Sequence, residues 1–128
     1  MNVLLDTCAL IWLVNGDAAL SHRATAAMQT AWFAYVSPVT AWEMGLKLAK
    51  GKLALNEPLE TWFPRAKEQH NLEELPLDSE AAIRACGLPR LHADPADRLL
   101  IATAIQHGLT LLTPDPLIQQ YPGLQTLW

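Results

Sequence analysis

Bulk positive charge is absent from this chain. Its 128 residues carry 9 lysines and arginines against 13 aspartates and glutamates, a formal net charge of -4. A protein that coats nucleic acid by simple attraction is basic, so that class is excluded. A carboxylate site filled by divalent cations is not, because the ions reverse its local charge. No apolar run approaches the roughly 18 residues of a membrane span, and no membrane partner is expected. The opening MNVLLDTCAL lacks a basic region and a small-residue cleavage site, so it does not read as a secretion signal. The only two cysteines, Cys8 and Cys86, form no metal or disulfide pattern and suit a reducing cytoplasm. There are no repeats and no low-complexity linker, which leaves one domain over residues 1–128.

What is present is an alternation of short apolar runs with longer amphipathic ones. NVLLD (2–6) has the pattern of a parallel strand covered on both faces. TCALIWLVNGD predicts a helix stopped near Asn15-Gly16, and SHRATAAMQTA a second one capped by Ser21. FAYVS (33–37) predicts a strand, and Ser37-Pro38 the cap and first position of the helix VTAWEMGLKLAK. A helix from Pro58 to about His70, a strand near LEELPL and a short helix from Ser79 follow. PADRLLIATAIQHG predicts a long helix closed by Gly108; LTLLTPD, a brief helix and LQTLW complete the chain. This order implies an α/β fold, a three-layer sandwich with a central parallel sheet of four or five strands and helices on both faces. Trp12 and Trp42 fall at apolar helix positions and are expected in the core rather than as base-stacking platforms.

HADPADRLL (92–100) sets two aspartates around a proline. Asp94, ahead of Pro95, is explained as a helix N-cap. Asp97 is harder to explain that way. It heads the stripe of Leu100, Ile101, Ala104 and Ile105, and a carboxylate aligned with a core stripe needs a partner or a metal. Asp6 ends the first strand and Asp115 follows LTLL, both at the carboxyl edge where open parallel sheets bind ligands. Three converging carboxylates resist joint ionisation unless a cation neutralises them. Oxygen donors without clustered His or Cys favour Mg²⁺ or Mn²⁺ over zinc. Glu43 reads as an ordinary surface pair with Lys47, opposite an apolar face of Val39, Trp42, Leu46 and Ala49.

LLDTCALIWL, SPVTAWEMGLK, DPADRLLIATA and LLTPDPLI, in this order, resemble the PIN domain, and most closely the VapC-type toxin ribonucleases of bacterial toxin–antitoxin pairs. The similarity runs through the closing YPGLQTLW. It implies a PIN-like, Rossmann-like fold and a metal-dependent ribonuclease that leaves 5′-phosphate and 3′-hydroxyl ends. By motif it assigns Asp6, Glu43, Asp97 and Asp115 to an Mg²⁺ or Mn²⁺ site, raising Glu43 from surface ion pair to site residue. It also implies a cognate VapB-type antitoxin and a homodimer. One departure is Cys8, where many relatives have His. Thr113 could hold a carboxylate, and Arg98 could meet substrate phosphate. Lys47, Lys50 and Lys52, in KLAKGKLALN with no acid among them, form the best local candidate for an RNA contact, and His92 reads as a loop histidine without a catalytic role. A haloacid dehalogenase-type phosphatase would need a second Asp at position 8, and a receiver domain a mid-chain phosphorylatable Asp that cannot be placed. The remaining alternative is a module that binds RNA or protein without cutting.

Overall fold

The first apolar run becomes the middle strand of the sheet. A computed structural model describes all residues, Met1–Trp128. In it β1 (Val3–Leu5) lies between β2 (Ala34–Val36) and β4 (Thr110–Leu112). The edges are β3 (Glu73–Glu74) and β5 (Gln125–Leu127), giving the order β3-β2-β1-β4-β5 with every pairing parallel. A strand buried on both sides must be apolar at every position, and Val3, Leu4 and Leu5 are each fully buried. The strands number five, within the expected range.

Six helices connect them: α1 (Thr7–Asn15), α2 (His22–Thr30), α3 (Pro38–Ala49), α4 (Leu59–Gln69), α5 (Ser79–Gly87) and α6 (Pro95–His107). Their starts follow the capping residues legible in the sequence. Ser21, Ser37 and Asp94 each accept backbone N–H bonds at the first turn. Gly16 and Gly108 close α1 and α6 in the left-handed conformation that a side chain would resist.

Alternation along the strands builds two cores. Val3, Leu5, Val36 and Leu112 face α1, α2 and α4, where Leu10, Ala27, Trp62 and Phe63 meet them. Leu4 and Leu111 face the opposite way, onto Leu100, Ile101 and Ala104 of α6 and onto Ile118 and Tyr121. Helix α5 covers α6 from outside through Ala81, Ala85 and Ala102. Helix α3 contributes to both cores, Met44 to the first and Val39 to the second.

Two expectations about tryptophan are corrected. Trp42 is 52% exposed, and it lines a shallow apolar surface patch with Leu77 and Leu99. Trp12 is half-buried at the margin of the first core, its ring 5.7 Å from that of Trp128. The cause for Trp42 is the rotation of α3. Its buried residues are Val39, Thr40, Glu43 and Met44, so only Val39 of the expected apolar face points inward.

Candidate metal centre

The parallel sheet delivers the acidic residues to one edge. Asp6 is the residue after β1, and Asp115 lies three beyond the end of β4, the neighbouring strand. Asp97 stands in the first turn of α6, and Glu43 in the middle of α3, which packs against α6. Each is placed by a separate element.

Asp6 is buried and has two jobs. Its Oδ1 accepts the Ala9 N–H at 2.8 Å, capping α1. Its carboxylate also accepts the Thr113 hydroxyl. The same Thr113 oxygen accepts the Asp115 N–H at 3.2 Å. Thr113, fully buried, thus lies between the first and fourth acids. Burial, partly offset by the hydrogen bonds from Thr113 and Ala9 and reinforced by the charges of Glu43 and Asp115, pushes the Asp6 pKa up to about 6. Asp97 is pushed up to about 7, first by burial and then by Asp94, Glu43 and Asp6. The charges acting on Asp6 and Asp97 place all four acids in one electrostatic neighbourhood.

Glu43 is where composition misled. Far from lying on a solvated face, it is buried, and Thr7 Oγ1 donates to its Oε1. Thr40, fully buried, has its hydroxyl 3.3 Å from that of Thr7. The i,i+4 partner is also real, with Lys47 Nζ 3.5 Å from Glu43 Oε2. The polar stripe of α3 faces the acidic cluster rather than water. No period-based rule distinguishes those two surroundings.

Asp94 caps α6 as expected, its Oδ1 accepting the N–H groups of Ala96 and Asp97 at 2.8 and 3.2 Å. It also has a carboxylate oxygen within 4.8 Å of those of Glu43 and Asp97, a spacing that suits a shared cation. A second such group joins Asp97, Asp115 and His92. His92 is therefore a member of the site that sequence reasoning missed. Its Nε2 lies 3.1 Å from Asp97 Oδ2 and 3.0 Å from Asp115 Oδ2.

Arg98 requires the opposite correction, because it does not face the cluster. Its guanidinium donates to the carbonyls of Ala85, Leu88, Pro89 and His92 and reaches the Tyr121 hydroxyl at 3.4 Å. Its two terminal nitrogens are spent binding the loop between α5 and α6 rather than reaching for a phosphate. Replacing Arg98 by Ala should destabilise the protein by about 2 kcal/mol, since several part-buried carbonyls lose a charged donor. Chemical denaturation checks this, and an unchanged midpoint would contradict the bracing role.

Cys8 carries no reactive thiolate. The residue is exposed overall, yet local desolvation around its sulfur, followed by the Asp6 charge, pushes the thiol up to about 11. Lys47, Lys50 and Lys52 line a cleft of about 370 Å³ that also includes Glu43 and Asp94. The cationic stretch thus shares one opening with Glu43 and Asp94.

The donor set fits a hard divalent cation. Clustered carboxylates, with Asp6 and Asp97 raised by burial, describe a site short of positive charge, in which Lys47 and His92 are the basic groups in direct contact with an acid.

Comparison with known proteins gives a concordant picture. Residues 3–124 match the PIN domain family. The chain is 30% identical over 129 aligned positions to ribonuclease VapC22 of Mycobacterium tuberculosis, covering 98% of each. Its fold is similar to that in VapBC2 from Rickettsia felis bound to a promoter DNA fragment, with a TM-score of 0.73 at 16% identity over 99% of this chain and 98% of that one. It is also similar to a toxin–antitoxin complex from Klebsiella pneumoniae, with a TM-score of 0.68 at 22% identity over 98% and 96%.

Proposed function

The chain belongs to the PIN-domain family, and from that membership we infer that it is a VapC-like endoribonuclease whose divalent cation is held by Asp6, Glu43, Asp97 and Asp115. The observation that carries this reading is the convergence of acids from four separate elements on one sheet edge, two of them with raised pKa values. The metal is Mg²⁺ or Mn²⁺, as the oxygen-rich donor set favours. When bound, such an ion polarises the scissile phosphate and makes water a competent nucleophile near neutral pH.

The chain's own residues do the rest. Asp6 and Asp97 hold the ion from opposite elements, with Thr113 fixing the Asp6 carboxylate against Asp115. Glu43, oriented by Thr7, and Asp115 are placed to accept a proton from attacking water. Lys47, Lys50 and Lys52 guide the RNA backbone toward the acids along the shared cleft. The partners are RNA, a VapB-type antitoxin and a second copy of this chain, in the cytoplasm; the whole of residues 1–128 acts as one PIN domain. No helix is long and apolar enough to cross a membrane.

Incubating purified protein with structured RNA and Mg²⁺ or Mn²⁺ tests the reading. Fragments with 5′-phosphate ends are expected, and EDTA should silence the reaction until metal is restored. Cleavage indifferent to EDTA would overturn it.

A further inference from the structure

The loop between α5 and α6 is organised around a single side chain, and every polar atom of that residue is engaged. The His92 N–H donates to the Tyr121 hydroxyl at 2.9 Å, and its carbonyl accepts from Arg98 Nη1 at 3.2 Å. Tyr121, buried in the second core, in turn donates to Pro89 O at 2.8 Å. The ring is also fixed on both sides. Its Nδ1 accepts the Asp94 N–H at 3.1 Å, while its Nε2 lies against Asp97 and Asp115.

That arrangement determines the position of the ring proton. A nitrogen that accepts an N–H bond uses its lone pair and carries no hydrogen, so the imidazole hydrogen resides on Nε2. Nε2–H then points at Asp115 Oδ2, while Asp97 Oδ2 lies 3.1 Å from the same nitrogen. A direct metal ligand would need a free lone pair on Nε2, which would drive a hydrogen onto Nδ1 and against the Asp94 N–H. His92 is therefore arranged as a donor toward the acids, unlike a coordinating histidine.

We propose that His92 is a positioning residue of the carboxylate site, its Nε2–H bonded to Asp115 and the same nitrogen seated against Asp97, so that the two acids are held at the separation that a cation requires. Two like charges brought together by α6 and the β4 loop would otherwise splay apart. The hydrogen bond to Asp115 Oδ2, with Asp97 Oδ2 in contact with the same nitrogen, lets both stay in place before an ion arrives. Afterwards it orients them from behind, as partners outside the coordination sphere commonly do. Arg98, the residue after Asp97, and Tyr121 serve the same end by fixing the loop that carries His92. This inference rests on the metal-site reading above.

Its test compares the full-length protein with His92→Gln, His92→Asn and His92→Ala by Mn²⁺ titration calorimetry. The Gln amide N–H falls close to the position of imidazole Nε2, whereas the Asn amide falls near Nδ1. The Ala and Asn variants should bind Mn²⁺ about 10–100-fold more weakly, and Gln should recover most of the loss. Nitrogen NMR of the metal-free wild type should show the Nε2–H tautomer. Electron paramagnetic resonance of the Mn²⁺ complex should show no directly coordinated nitrogen. Equal affinity in all variants, recovery by Asn but not Gln, the Nδ1–H tautomer, or a coordinated nitrogen would each overturn the proposal. If Ala alone fails to fold, the Gln and Asn pair still decides it. A wild type that does not bind Mn²⁺ would sink the metal-site reading and this inference with it, whereas binding unaffected by the variants sinks this inference alone.

Discussion

Asp97→Asn should lower RNA cleavage by roughly 10³-fold or more while leaving the fold intact. The substitution preserves volume and hydrogen-bonding shape, so the first turn of α6 and its cap on Asp94 are undisturbed. What disappears is a charge that its surroundings oppose, His92 offsetting them only in part, until a cation is bound. In the metal-free protein the carboxylate is opposed by burial and by Asp94, Glu43 and Asp6. The variant should therefore melt at or above the wild-type temperature when both are stripped of metal at pH 8. Loss of activity with retained or raised stability is the signature of a functional charge. Wild-type-like cleavage would remove Asp97 from the site, and a collapsed melt would recast it as structural.

The second large effect is the pH dependence of metal affinity. Asp97 and Asp6 titrate near 7 and near 6 in the metal-free protein, and each must lose its proton before it can hold a cation. Lowering the pH from 8 to 5 should weaken Mn²⁺ binding on the order of 10³-fold, with proton release detectable calorimetrically at pH 6. Stability of the metal-free protein should move in the opposite direction. A carboxyl raised in the folded state binds more protons than its unfolded counterpart between its ordinary value of 3.8 and its raised one. The contribution of these two groups thus falls as the pH rises from about 4 to about 7, and saturating metal should reverse the trend. An affinity flat across this range would show that the acids are already ionised without metal.

How much of this was legible in the sequence depended on which interactions set each position. Asp6 and Asp115 were visible because a strand end is a local event, marked by a short apolar run followed by an acid. Asp97 was visible because its helix keeps its period: Leu100, Ile101 and Ala104 are buried as expected, and Ile105 is half-buried. Glu43 was not visible from spacing, and the resemblance to known toxins alone raised it. Helix α3 lies beside a polar cluster as well as two apolar cores, so the inward side of α3 includes Thr40 and Glu43, and hydropathy points the wrong way. Trp42 was misplaced for the same reason. His92 was missed because its fixing contacts come from Tyr121 and Asp115, 29 and 23 residues away, with no periodicity to announce them. Arg98 was given to the substrate because its carbonyl partners lie in an irregular loop that no pattern encodes.

The outermost strands matter for a different reason. The β3 margin offers only Glu73 and Glu74, and the opposite margin only the three residues Gln125–Leu127. An incoming backbone seeking to extend the sheet at β3 would find two rungs of hydrogen bonding and two adjacent negative charges. Fibril-like stacking is thereby discouraged at high concentration.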